Sequence, residues 1–149
     1  MPTPAMKEGL KRYIGFYETL TEESLKGIDA YFTPDAYFRD PFNGVKGVDK
    51  IRLVFEDMFK TIGQPDFKVH DSAWSDENEG QAYMRWSFKY RVRGKGVPLS
   101  VDGVSVMVFG IDGRVTSHID HWDAAQGLYE HLPVIGWVLR SIRKRVEVN

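Results

Sequence analysis

His118, Asp120 and Trp122 fall at alternate positions of a segment whose pattern is that of a strand, so all three project from one face. An imidazole beside a carboxylate can move a proton, and an indole next to them can keep water away. Alternation leaves open whether this face is a solvated surface or a pocket wall. A second carboxylate, Asp40, sits between Phe38 and Phe42. Pro41 holds it out of the helical region, and Asn43-Gly44 then turns the chain. In an apolar pocket such a carboxyl would have a raised pKa; in an ordinary turn it would accept backbone amides instead. Tyr13 and Tyr17 lie one helical turn apart and offer phenols that could hold a developing oxyanion, at roughly 3 kcal/mol per donor, or could simply pack in the core. A metal site from His118, Asp120, His121 and Asp123 is not expected, because alternation sends neighbours to opposite faces.

The elements that must position these groups follow from periodicity. Leu10, Tyr13, Ile14, Tyr17 and Leu20 recur at helical spacing over Met6 to Leu20. Thr21, followed by Glu22 and Glu23, starts a second helix carrying Leu25, Ile28, Tyr31 and Phe32, with Pro34 as its end. A third helix is predicted from Val48 to Ile62 through Ile51, Phe55, Met58 and Phe59, stopped by Gly63 and Pro65. Beyond Pro65 the period changes to alternation. Strands are predicted for Phe67 to Trp74, for the segment with Ala82, Met84, Trp86, Phe88, Tyr90 and Val92 on one face, for Val97 to Phe109, and for Val115 to Asp123 after the Asp112-Gly113 hairpin. In the third of these, Val101, Gly103, Ser105 and Met107 mark one face and Val104, Val106 and Val108 the other. A sheet apolar on both faces implies a partner, most simply a second copy of the chain. Helices first and a strand meander after them argue an α+β domain, its helices packed on one face of a curved antiparallel sheet with a pocket at one end.

Composition bounds the class. The chain has 149 residues, 42% apolar, 28% charged and 13% aromatic, which fits one domain over residues 1–123 with a helical extension over 124–149. A net charge of -1 gives no general footprint for nucleic acid. The absence of cysteine removes disulfides, thiolate catalysis and cysteine-held zinc. Neither a signal-like N-terminus nor an apolar run of about 18 residues is present, so a soluble, cytoplasmic protein is expected.

The run Phe38-Arg39-Asp40-Pro41-Phe42, then Gly47 and a helix, then strands ending in Met107 to Val115 and Trp122, resembles the nuclear transport factor 2-like superfamily. The closest echoes are the SnoaL-like proteins and the ketosteroid isomerases, over about Leu10 to Asp123. The resemblance implies a cone-shaped α+β (cystatin-like) fold and places Asp40 where the isomerases keep their proton-moving Asp. It places Tyr13, or Tyr17 one turn on, at the oxyanion-hole tyrosine. Ser105 aligns with the second oxyanion donor, a carboxylic acid in the isomerases. His118 and Asp120 stand where the isomerases have apolar pocket residues, implying a ligand smaller or more oxygenated than a steroid.

Function is therefore expected to be cofactor-free acid/base chemistry, of isomerase, cyclase or dehydratase type, on a small apolar, polyketide- or steroid-like carbonyl compound. Asp40, His118, Asp120, Tyr13 and Tyr17 carry the chemistry, and Trp122, Trp86, Ser105, Phe55, Met84 and Met107 line the pocket. The alternatives are a non-catalytic binding or protein-association module, or an epoxide hydrolase-like activity. The last needs an Asp-Arg-Asp set, whereas Arg39 should point away from Asp40 and Arg85 lies on the polar face. In the tail, Leu128, Tyr129, Leu132, Ile135, Trp137, Val138, Leu139 and Ile142 flank Pro133, and Arg140, Arg143, Lys144 and Arg145 follow. The favoured reading is a helix docked on the pocket mouth or the dimer edge, ahead of contact with an anionic membrane.

Overall fold

Helix α1 (Pro4–Glu18) starts where Thr3 turns its hydroxyl onto the Met6 N–H at 3.2 Å and proline occupies the first turn. Its buried face is Met6, Gly9, Leu10, Tyr13, Phe16 and Tyr17. The structure, a computed structural model, describes residues 1–94, 96–127 and 135–146. The next element, expected as an α-helix, is a 3-10 helix (Glu23–Ala30). Thr21 and Ser24 exchange backbone-to-hydroxyl hydrogen bonds of 2.9 and 3.1 Å at its start, so the capping signal was real although the turn is tighter. Tyr31 and Phe32 are not on its face. Phe32 opens strand β1 (Phe32–Arg39), and Pro34 lies inside that strand, where the ladder register shifts between Phe32 and Tyr37.

Strand β2 (Gly44–Lys46) folds back on β1 through the Asp40–Asn43 turn. Helix α2 (Val48–Thr61) follows, burying Val48, Ile51, Phe55 and Phe59. Four longer strands complete the sheet: β3 (Ile62–Trp74), β4 (Gln81–Val92), β5 (Pro98–Phe109) and β6 (Val115–Trp122). The spatial order is β2-β1-β6-β5-β4-β3. The sheet was expected to be antiparallel throughout, but β1 and β6 pair in parallel. Strand β2 takes one edge of β1 by its hairpin, which leaves the other edge for the last strand of the meander.

The alternating faces predicted for β4 and β5 are those observed. Ala82, Met84, Trp86 and Tyr90, with Val101, Ser105 and Met107, point into the core. Val104 is exposed, and Val106, Val108 and Ile119 are half-buried on the outer face. Helix α1 sits very close to the turn before β6. A Cβ on Gly9 would lie 2.0 Å from the Gly113 carbonyl oxygen, and one on Gly113, at φ 83°, would lie 2.4 Å from that of Ala5. This contact lays α1 across the concave face, so Tyr13 and Tyr17 reach β6.

Past β6, α3 (Ala124–Gly127) and α4 (Ile135–Val146) are described, and Trp137, Val138 and Ile142 of α4 are exposed. Leu128, Tyr129, Leu132 and Pro133 lie outside the described residues. Among the described residues no helix is long and apolar enough to cross a membrane.

Candidate active site

Three strand registers bring the polar groups together. The β1–β6 ladder sets Phe38 beside His118, the β5–β6 ladder sets Ser105 opposite Asp120, and the β4–β5 ladder sets Trp86 opposite Gly103. A Cβ at Gly103 would lie 2.5 Å from the Trp86 ring. The missing side chain therefore lets the indole lie across β5, and its Nε1–H donates to Ser105 Oγ at 2.8 Å. Ser105 in turn donates to Asp120 Oδ1 at 2.5 Å. From the other side His118 Nε2 stands 2.6 Å from the same oxygen, and His118 Nδ1 is 2.7 Å from the Tyr13 hydroxyl, itself 3.3 Å from that of Tyr17.

The donor inventory orients this network. An indole N–H only donates, so Ser105 accepts from Trp86 and keeps its own hydrogen for the carboxylate. An ionised carboxylate only accepts, so His118 carries its hydrogen on Nε2. Its Nδ1 then accepts from Tyr13. Two donors converge on Oδ1 of Asp120, leaving Oδ2 outside the described hydrogen bonds. The His118 ring lies between Phe38 and Tyr17, stacked at centroid distances of 5.0 and 5.7 Å. His118 and Ser105 are fully buried, whereas the Asp120 side chain keeps 15% exposure.

That exposure opens into a cavity of about 410 Å³ between α2 and the sheet. Of the residues singled out from sequence, Tyr17, Asp40, Phe55, Trp86, Asp120 and Trp122 line it. Tyr13, His118 and Ser105 stand behind the wall and bear on the cavity through the lining residues they contact, Tyr17, Phe38, Trp86 and Asp120. Met84 and Met107, expected in the pocket, are core residues: they lie at the end of β4 and β5 that α1 covers, and the cavity opens toward the Trp86–Tyr90 end. The lining that sequence reasoning did not single out includes Phe67, Phe88, Tyr90 and Met58. The inward parity of β4 carried a signal for Phe88 and Tyr90, but parity does not tell core from cavity.

Asp40 is held by its own turn. Its Oδ1 accepts the backbone N–H groups of Phe42 and Asn43 at 2.8 and 2.7 Å, and Asn43 Nδ2 bridges both carboxylate oxygens at 3.2 and 3.3 Å. The turn-capping alternative therefore describes its hydrogen bonds, while its position on the cavity wall agrees with the pocket alternative.

Burial pushes the Tyr13 and Tyr17 phenols well above their ordinary value near 10. For Tyr13 the next cause is the neighbouring Tyr17, and for Tyr17 it is the charge of Asp120, with Asp40 contributing less. Both remain neutral hydroxyls at physiological pH. With the Tyr13 hydrogen on His118 Nδ1, the Tyr17 hydrogen is the one that spans the long 3.3 Å contact to Tyr13, and Tyr17 can donate to an oxygen in the cavity by turning it away from Tyr13.

Neither arginine weighed for the Asp-Arg-Asp set of an epoxide hydrolase-like activity lines the cavity. Arg39 is exposed, and Arg85 is 3.5 Å from Asp71 on the outer face. A wider polar cleft of about 670 Å³ lies between the 3-10 helix and α2, away from this network. Its Arg52 is already paired with Asp29 and Asp49, and its Lys60 with Asp57.

Comparison with solved structures gives the same fold at low identity. An LEH-like epoxide hydrolase of M. tuberculosis is 16% identical with a TM-score of 0.69, covering 98% of this chain and 99% of that one. An NTF2-like protein of unknown function from Burkholderia pseudomallei K96243 is 14% identical with a TM-score of 0.70, over 83% of this chain and 95% of the other. A protein proposed to be a SnoaL-like polyketide cyclase, from Shewanella putrefaciens CN-32, is 17% identical with a TM-score of 0.67, over 85% and 94%. Comparison with curated proteins returns no match. The family model described as SnoaL-like domain matches residues 13–118, from the tyrosine that begins the buried network to the histidine at its centre. The chain therefore belongs to the SnoaL-like domain family, and its fold is that of the NTF2-like proteins.

Proposed function

We propose that this chain is a cofactor-independent acid/base enzyme that moves a proton at a carbon next to the carbonyl of a small, apolar compound. The observation that carries the reading is Asp120: one carboxylate oxygen is fixed by Ser105 and His118, and the side chain opens into an aromatic-walled cavity beside the Tyr17 phenol. Asp120 takes the proton from carbon, the C–H electrons pass into an enolate, and Tyr17 donates to the enolate oxygen. Asp120 then returns the proton to a second carbon in an isomerisation. In a ring closure the enolate carbon bonds to a second carbonyl carbon of the substrate and the proton goes to the new alkoxide, and in a dehydration the C–O bond of a β-hydroxyl breaks and the proton leaves with it as water. Trp86, Trp122 and Phe55 exclude water from the enolate. Asp40 is a weaker candidate for the base, because both its oxygens accept from its own turn, whereas Asp120 takes its two donors on Oδ1 alone.

The test is hydrogen–deuterium exchange at the α-carbon of a panel of cyclic and aryl ketones, followed by NMR in D2O. Exchange by the native protein and a loss of about 100-fold or more in Asp120→Asn, with ligand affinity kept, supports the reading. Equal exchange by both proteins overturns it.

A homodimer through the outer sheet face is part of the same proposal, supported by exposed Val104 beside half-buried Val106, Val108 and Ile119. Sedimentation of the native protein at dimer mass and of Val106→Glu at monomer mass is the expected result.

A further inference from the structure

Two carboxylates, Asp40 and Asp120, line a cavity whose other walls are largely aromatic, and among the described residues no lysine or arginine lines it. A third, Asp57, is already paired with Lys60 at 3.1 Å. Asp120 has its two donors from the buried network. Asp40 accepts from turn amides, and among the described residues no ion pair reaches it. Two residues beyond it, the Phe42 ring meets the Trp122 ring at 71° with centroids 5.5 Å apart. Asp40 follows the last pair of the β1–β6 ladder, Arg39 with Ile119, its Oδ1 accepts the Phe42 N–H at 2.8 Å, and Asp40, Phe42 and Trp122 all line the cavity. Asp40, Phe42 and Trp122 thus form an aromatic corner with a carboxylate in it. Phe42 is 43% exposed, so this corner is at the mouth, while Asp120 and Tyr17 lie deeper.

An anionic substrate would meet two carboxylates here, and a neutral one would desolvate Asp40 with nothing gained in return. An alkylammonium gains from an aromatic ring face of this pair and from the carboxylate. We infer that the Asp40–Phe42–Trp122 corner is a subsite for an ammonium group, protonated or quaternary, carried by the substrate. This deepens the acid/base reading and shares its cavity: the cation anchors at the mouth and the carbonyl-bearing part reaches Asp120 and Tyr17. The negative field of Asp40 and Asp120 is also felt by the Tyr17 phenol, which both charges push up.

The experiment is calorimetric titration of the native protein with benzyltrimethylammonium, its uncharged isostere neopentylbenzene, and phenylacetate. The expected order is cation, neutral, anion, with the cation at least about tenfold tighter than its isostere. Asp40→Asn keeps an Asx turn and should cut that ratio below about threefold. Trp122→Leu should do the same through the lost ring. Equal affinity of cation and isostere, no binding of any probe, or a ratio unchanged in both variants overturns the inference. Its failure is separable from that of the acid/base reading: α-carbon exchange that depends on Asp120 can stand without a cation preference, and the preference can stand without exchange.

Discussion

Tyr13 and His118 are 105 residues apart in the chain, yet the phenol oxygen stands 2.7 Å from Nδ1 of the imidazole, and neither group reaches the cavity. The carboxylate of Asp120 sets the hydrogen of His118 on Nε2, and the Tyr13 hydroxyl, donating to Nδ1, holds the ring in place against Asp120. Tyr17 and Asp120 on the cavity wall are thus held by residues that do not line the cavity.

His118→Leu should separate positioning from binding. It removes one of the two donors on Asp120 Oδ1 and leaves the Tyr13 hydroxyl without its acceptor, at a stability cost of about 1–3 kcal/mol. The exchange rate constant should fall by about 100-fold while KM changes little, because the carboxylate is displaced but the cavity wall remains. Steady-state kinetics beside urea denaturation check this. A merely structural histidine would lower stability without that split.

Ser105→Ala orphans the Trp86 indole N–H in the core and should destabilise by about 1–3 kcal/mol. Adding Trp86→Phe removes the orphaned donor, so the second substitution should cost less in the Ser105→Ala background than alone. A double-mutant cycle by denaturant unfolding measures the difference.

Gly103→Ala puts a methyl group 2.5 Å from the Trp86 ring. The indole must shift and lose Ser105, for a loss of about 1–3 kcal/mol. The tryptophan emission spectrum should move with it, and ligand affinity should fall because Trp86 is cavity wall.

Tyr17→Phe removes the donor proposed for the enolate oxygen. Turnover should drop by about 10²- to 10³-fold with the fold retained, since the ring and its stacking on His118 remain. Rapid-quench or NMR exchange rates on the ketone panel provide the readout.

The buried phenols also set an alkaline limit. Their folded pKa values lie above the unfolded value near 10, so the folded chain binds more protons than the unfolded chain above that pH. The stabilising contribution is complete below about pH 10 and is lost as pH rises toward the folded values. Thermal unfolding should show a falling midpoint above about pH 10, and a shallower fall in Tyr13→Phe.

Much of the architecture was legible because it follows local rules. Helical spacing marked the faces of α1 and α2, and parity marked the inner face of β4 and the shared face of His118, Asp120 and Trp122. The 3-10 helix was read as an α-helix because both offer a similar capped, amphipathic start. Pro34 was read as a helix stop because nothing local shows that the β1 ladder breaks there.

The site was legible as residue types on faces, and not as a network. Asp40 carried a pocket signal and a turn signal together, and the structure expresses both, with its hydrogen bonds spent in the turn and its position on the cavity wall. Gly103 reads in sequence as a weak point in a strand; only the Trp86 ring lying over it gives it a purpose.

The sequence by itself determined the α+β class, the two phenols one turn apart and the imidazole–carboxylate face, since all depend on interactions within one turn or one strand. Tertiary structure alone decided that Ser105 and His118 meet on one oxygen of Asp120, that Tyr13 stays behind the wall while Tyr17 reaches the cavity, and that Met84 and Met107 are core. Those outcomes depend on register between strands and on how closely α1 can approach Gly113, which are long-range packing distances that no local pattern encodes.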